Sequence, residues 1–176
     1  MLRQILTGIV RFLAVAISPF VVFTYRYFLH RFPELCILAV PRNSDEPIGC
    51  VVGKIDQEEI VGTQGYVNDG NGGASEGAGN GIGGQMETTI KVPTGYIGML
   101  AVQSKYRRKG IGKALVRQVL KRMKDMDCTS VTLETEVSNV SAQRLYQNSF
   151  GFIREELLVR YYLNWGDAYR LRLWLS

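Results

Sequence analysis

The segment RRKGIGKALV, residues 107–116, sets three cations and two glycines at the head of an apolar-patterned run. These are residues for holding an anion. The first turn of a helix carries unpaired N–H groups and a partial positive charge. Gly110 and Gly112 let an anion approach the backbone closely, and Arg107, Arg108 and Lys109 add cations around it. Three phosphate-loop patterns compete. The Walker pattern needs glycine at 107 and Ser or Thr at 114, where Arg107 and Ala114 stand. The dinucleotide pattern needs a third glycine at 115, where Leu115 stands. What remains is R-x-x-G-x-G, Arg107 to Gly112.

The elements around this loop suit it. Residues 96–102, YIGMLAV, read as a fully buried type of strand, and 103–109 as a basic turn. Residues 110–124 read as an amphipathic helix. Ile111, Leu115, Val119, Leu120 and Met123 share one face, while Lys113, Arg117, Lys121 and Lys124 cover the other. Residues 131–137 alternate as a strand, with Val131, Leu133 and Thr135 opposite Thr132, Glu134 and Glu136. Ser138 or Asn139 caps a helix reaching residue 148. A strand over 152–163, a turn at 164–167 and a strand over 168–175 close the chain.

Upstream, the sequence predicts helix over 2–17 and helical spacing over 21–31, stopped by Pro33. Strands at 36–40 and 48–55, with a turn at 41–47, suit a hairpin. From 62 to 85 the chain is dominated by Gly, Asn and Ser, so 62–86 reads as a disordered loop insertion. Its glycine run matches a nucleotide loop by letters alone. This order predicts a mixed sheet with helices on its faces.

Composition narrows the class. The chain has 176 residues and a net charge of +5, with 46% hydrophobic and 21% charged residues, as expected for one domain with one core. No block of five or six like charges marks a nucleic-acid tail. Cys36, Cys50 and Cys128 form no C-x-x-C pair, so neither a disulfide framework nor a metal site is expected. The apolar segment 1–22 is broken by Arg11, Ser18 and Pro19 and falls short of the ~20 apolar residues of a spanning helix. It reads as an atypical first helix, and membrane attachment is not expected.

R-x-x-G-x-G is similar to the acetyl-CoA pyrophosphate loop of the GNAT superfamily of N-acetyltransferases. The blocks FTYRYFLHRFPELC (23–36), GYIGMLAVQSKYRRKGIGKALV (95–116), VTLETEVSNVSAQRLYQN (131–148), RYYLN (160–164) and DAYRLRLWL (167–175) resemble, in that order, the catalytic subunits of the NatC N-terminal acetyltransferases. The resemblance implies a GNAT fold, α/β with a mixed, mainly antiparallel central sheet, in a single N-acetyltransferase domain over 1–176. It implies acetyl-CoA as cosubstrate, held by Leu100, Ala101, Val102, Arg107, Arg108, Lys109, Gly110, Ile111, Gly112, Lys113, Asn139, Ala142 and Tyr146. It also implies protein N-termini as substrate, of the type Met followed by a bulky apolar residue, and a cytoplasmic enzyme working with NatC auxiliary subunits at the ribosome. Direct sequence-specific nucleic-acid binding is not expected.

Acetyl transfer requires a neutral amine and a protonated leaving thiolate. An α-amino group has a pKa of about 7.7–8.0, so a weak base suffices. The family's first LETE glutamate points to Glu134 as that base, with Glu136 on the same face able to share the role. Tyr146, a phenol on the following helix, is the candidate acid. Pro19, Phe20, Tyr25, Tyr96, Tyr161 and Tyr162 are candidate substrate walls. SPFVVFTYRYF stands where the family has EPYSIYTYRYF, and YQNSFGF carries one residue more than the usual YENLGF, an insertion a bulge could absorb. These differences leave two alternatives: an acetyl-CoA-binding, catalytically impaired interaction module, or another N-terminal specificity.

Overall fold

The computed structural model describes residues 27–63 and 87–175. The expected helix over 2–17, the start of the helical stretch at 21–26 and the insertion from 64 to 86 lie outside them. Six strands form one sheet: β1 (Cys36–Ala39), β2 (Gly49–Thr63), β3 (Glu87–Val102), β4 (Ser130–Glu136), β5 (Ile153–Leu158) and β6 (Ala168–Trp174). Their order is β1-β2-β3-β4-β6-β5. All neighbours are antiparallel except β3 and β4. Two helices, α1 (Ile111–Asp125) and α2 (Val140–Phe150), follow β3 and β4.

Hydrophobic periodicity sets the layers. In α1 the residues Leu115, Val116, Val119, Leu120 and Met123 are buried. They meet Val131, Leu133 and Leu171 of the sheet in the main core. The opposite sheet face is covered by the helical residues 27–31, where Phe28 and Leu29 pack on Cys36, Cys50 and Val52. All three cysteines are buried and free. Burial pushes the Cys36 and Cys50 thiols up to about 12, so they stay protonated and unreactive at neutral pH.

Three sequence expectations need correction. Strands β2 and β3 run past the predicted 48–55 and 96–102, pairing from Gly49↔Val102 out to Thr63↔Glu87 with one register shift between Val52 and Gly53. Each strand satisfies the other's backbone there, which local composition does not reveal. The predicted strand over 152–163 ends at Leu158. Arg160 turns into the left-handed region at φ 53°, its N–H donating to Asp167 Oδ1 at 2.8 Å, so 159–167 is an extended turn. The helix expected to end at residue 148 runs two residues further. Helix α2 continues to Phe150 and stops at Gly151, φ 80°, with its N–H on Gln147 O and that of Phe152 on Tyr146 O.

The parallel pair β3/β4 is brief: Thr94↔Ser130, Gly95↔Val131 and Tyr96↔Thr132. At that point β3 carries a bulge at Gly98, because the register shifts from Val52↔Met99 to Gly53↔Ile97. A bulge bends its strand. Beyond it β3 runs on to Val102 and β4 to Glu136 without pairing to each other, and the sheet opens between them.

Candidate active site

The opening between β3 and β4 is part of a cleft of about 2390 Å³ that also extends along β1, past Ile37 and Leu38. Its walls include Leu100, Ala101 and Val102 of β3, the loop residues Arg107, Arg108 and Gly110, and Ile111, Gly112 and Lys113 of α1. Glu134 and Glu136 of β4 and Asn139, Ala142 and Tyr146 around α2 complete the other side. Because β4 has splayed away, β3 turns alternate N–H and C=O groups toward the gap instead of toward a neighbouring strand.

The glycine loop is built as the sequence predicts. Gly110 is the N-cap of α1, at φ 81°, where a side chain is strained. The first helical bond runs from Ala114 N–H to Gly110 O, so the N–H groups of Ile111, Gly112 and Lys113 precede the ladder. A Cβ at Gly112 would stand 3.8 Å from Leu100 Cδ2 and from Leu145 Cδ2, in ordinary contact. Packing therefore does not demand glycine at 112; the space it leaves faces the cleft. That space and the row of donors fit a phosphate group. Of the three cations, Arg107 is not mobile: its Nε donates to Val102 O at 3.0 Å, tying the loop to the end of β3. Lys109 is absent from the described cleft wall, with its Nζ 5.4 Å from the Tyr106 ring centre.

Glu134 lies where the strands part, its side chain 8% exposed. Tyr96 Oη donates to its Oε2 at 2.7 Å, and Arg170 Nε donates to its Oε1 at 3.2 Å. Both contacts follow from register, since Tyr96 pairs with Thr132 and Arg170 sits opposite Glu134. Burial first, and then the bond to Glu134, raise the Tyr96 pKa, so this phenol keeps its proton. Tyr161 stands beside this pair, its pKa also raised, first by burial and then by the Glu134 charge. Its ring packs edge-on against Tyr162, 5.1 Å between centres, and Tyr162 lines the cleft.

Tyr146 is 5% exposed and packs edge-on against Phe152, 5.5 Å between centres. Burial raises its pKa above the usual phenol range. Asn139 is the N-cap of α2, its Oδ1 accepting from Ala142 N–H at 3.1 Å. Gln143 Nε2 donates to the carbonyls of Glu136 (3.3 Å) and Val137 (2.8 Å), fixing the turn between β4 and α2. Pro19, Phe20 and Tyr25 lie outside the described residues.

Sequence reasoning placed Tyr96 on a substrate wall and passed over Arg170. The structure brings both onto Glu134. The signal was present in DAYRLRLWL, where Arg170 and Arg172 alternate with Leu171 and Leu173.

The sequence profile of the acetyltransferase (GNAT) family matches residues 12–152. The chain belongs to this family. Among GNAT proteins it is 41% identical over 158 residues to N-alpha-acetyltransferase 30 of Xenopus laevis, which covers 90% of this chain and 46% of that protein. It is 38% identical to N-alpha-acetyltransferase 30 of Saccharomyces cerevisiae, over 90% of this chain and 74% of the yeast protein. The chain thus spans under half the length of the frog relative. A solved structure described as the NatC complex bound to Gag peptide and CoA superposes with a TM-score of 0.72 at 36% identity, covering 98% of this chain and 92% of that one. The splayed sheet and glycine loop are accordingly a GNAT fold. Among the described residues, no helix is long and apolar enough to cross a membrane, and no cluster of His, Cys, Asp and Glu is grouped to hold a metal.

Proposed function

We propose that the chain transfers an acetyl group from acetyl-CoA to the α-amino group of protein N-termini. The observation that carries this reading is Glu134, an enclosed carboxylate held by Tyr96 and Arg170 at the point where the β3/β4 cleft opens. The similarity to N-alpha-acetyltransferase 30 and to the CoA-bound NatC complex supports it.

The chain's residues divide the work. The N–H groups around Gly110–Lys113 hold the pyrophosphate, with Arg108 and Lys113 beside them. Acetyl-CoA, when bound, supplies the thioester carbon that the amine attacks. The N–H of Leu100, on the open edge of β3, polarises the thioester carbonyl, whereas that of Ala101, the next residue along the strand, is turned to β2. Glu134 accepts the amine's proton, and Tyr96 and Arg170 hold its carboxylate in place. Tyr146, kept protonated by burial, donates to the leaving sulfur. Tyr161 and Tyr162 form an aromatic wall beside Glu134 that suits an apolar side chain, favouring Met followed by Leu, Ile or Phe. The enzyme works in the cytoplasm as one domain, with NatC auxiliary subunits, on N-termini emerging from the ribosome.

Two experiments bear on this reading. A peptide library acetylated by the chain, with and without the auxiliary subunits, is expected to show Met-Leu, Met-Ile and Met-Phe among the best substrates. A preference for small or acidic second residues would contradict the specificity. Gly112→Ala is expected to raise stability by about 0.5–1 kcal/mol, because alanine loses less conformational freedom in a helix. The same methyl occupies the phosphate's space and raises the KM for acetyl-CoA. An unchanged KM would remove Gly112 from the cofactor site.

A further inference from the structure

Acetyl transfer to an ammonium releases a proton at every turnover. The nitrogen sheds two protons as the C–N bond forms and the C–S bond breaks. One ends on the thiol sulfur; the other must reach solvent. In the reading above, acetyl-CoA and the peptide meet at Glu134 and cover it from the cleft.

A second cavity, of about 320 Å³, lies on the sheet face that carries Tyr96, Thr132 and Arg172. Among the described residues, Glu134 is the one side chain common to the walls of this groove and of the cleft. We propose that the groove is the proton exit of the acetyl-transfer site: solvent within it takes from Glu134 the proton that each turnover releases. The inference rests on the acetyl-transfer reading and adds a route to it.

The walls favour water over a peptide. They are charged, and their charges are already matched. Lys54 meets Asp56 at 2.6 Å, Arg172 meets Glu58 at 2.8 Å, and Arg170 meets Glu134 at 3.2 Å. A peptide side chain would find few unmatched groups there, whereas matched charges still offer lone pairs and protons to water. The volume holds on the order of ten waters at ~30 Å³ each. Its walls run from Glu134, enclosed, to Asp56, half-exposed, so the groove connects an enclosed carboxylate to bulk solvent.

Thr132 lines the groove two residues from Glu134 and is not among its hydrogen-bond partners. In the full chain reconstituted with the auxiliary subunits, Thr132→Leu fills the groove with apolar bulk. With a Met-Leu peptide, kcat is expected to fall about ten-fold. Both KM values stay unchanged, and the solvent deuterium isotope effect on kcat rises. An unchanged kcat and isotope effect overturns the exit. So does a raised peptide KM at constant kcat, which would make the groove a peptide subsite. If Thr132→Leu loses CoA binding, Asp56→Trp, at a half-exposed wall residue, takes its place, judged by the same outcomes. A wild-type protein that acetylates nothing counts against the acetyl-transfer reading itself; an active wild type with an indifferent variant counts against the groove alone.

Discussion

Glu134→Gln is expected to lower kcat by about 10²–10⁴-fold while leaving CoA affinity intact, as befits loss of a general base. The amide has nearly the same shape and can still accept from Tyr96 Oη. It cannot take the amine's proton. Tyr96 offers no substitute base, since burial and the bond to residue 134 keep its phenol protonated. The glycine loop lies on a different element, so cofactor binding does not depend on this carboxylate. Initial rates on a Met-Leu peptide and calorimetric titration with CoA separate the two quantities. Glu136→Gln, run beside it, tests the other cleft-lining carboxylate of β4. A large loss there, with Glu134→Gln active, would move the base by two residues.

The second large effect is on stability. Arg172, 9% exposed, bonds Glu58 through both Nη atoms at 2.8 and 3.0 Å, Glu155 through Nε at 2.6 Å and Ser130 Oγ at 2.9 Å. A bulge at Glu155, between the pairs Arg154↔Leu171 and Glu156↔Arg170, accompanies this contact. Removing Glu58 takes away one of the two carboxylates that balance a buried guanidinium and leaves Nη2 without its bond. Glu58→Leu is therefore expected to cost about 3 kcal/mol, the low end for a broken buried pair because Glu155 remains. Arg172→Met is expected to cost less, since Glu58 and Glu155 are 40% and 36% exposed and can hydrate. Urea unfolding of the two variants checks the order. The reverse order would show that the arginine stem, not the charge, matters. A pH signature accompanies it. The Arg172 bonds, then Thr94, hold the Glu58 carboxyl below its usual range. That contribution is complete above the ordinary carboxylate pKa and is lost as pH falls through the lowered one. Arg172→Met should flatten the acid limb of stability.

Much of this was legible in the residues. The 3.6-residue spacing of Leu115, Val119 and Met123 predicted α1, and the alternation of β4 placed Glu134 opposite Leu133. Asn139 announced the cap of α2, and excluding two phosphate patterns left the loop that the structure shows. What could not be read depends on partners distant in the chain. Strand β2 beyond Ile55 is strand because β3 lies beside it. Tyr96 meets Glu134 across 38 residues only through the three-pair parallel register. The turn at Arg160 hides in an apolar run that alternates like a strand, and only Asp167 reveals it.

Acetyl transfer to the α-amine is read directly by mass spectrometry of a Met-Leu peptide incubated with acetyl-CoA and the chain, alone and with the NatC auxiliary subunits. One acetyl group, located on the α-amine by fragmentation, is expected in at least one of these conditions. No acetylation above background in either condition, or acetylation confined to lysine side chains, would contradict the acetyl-transfer reading.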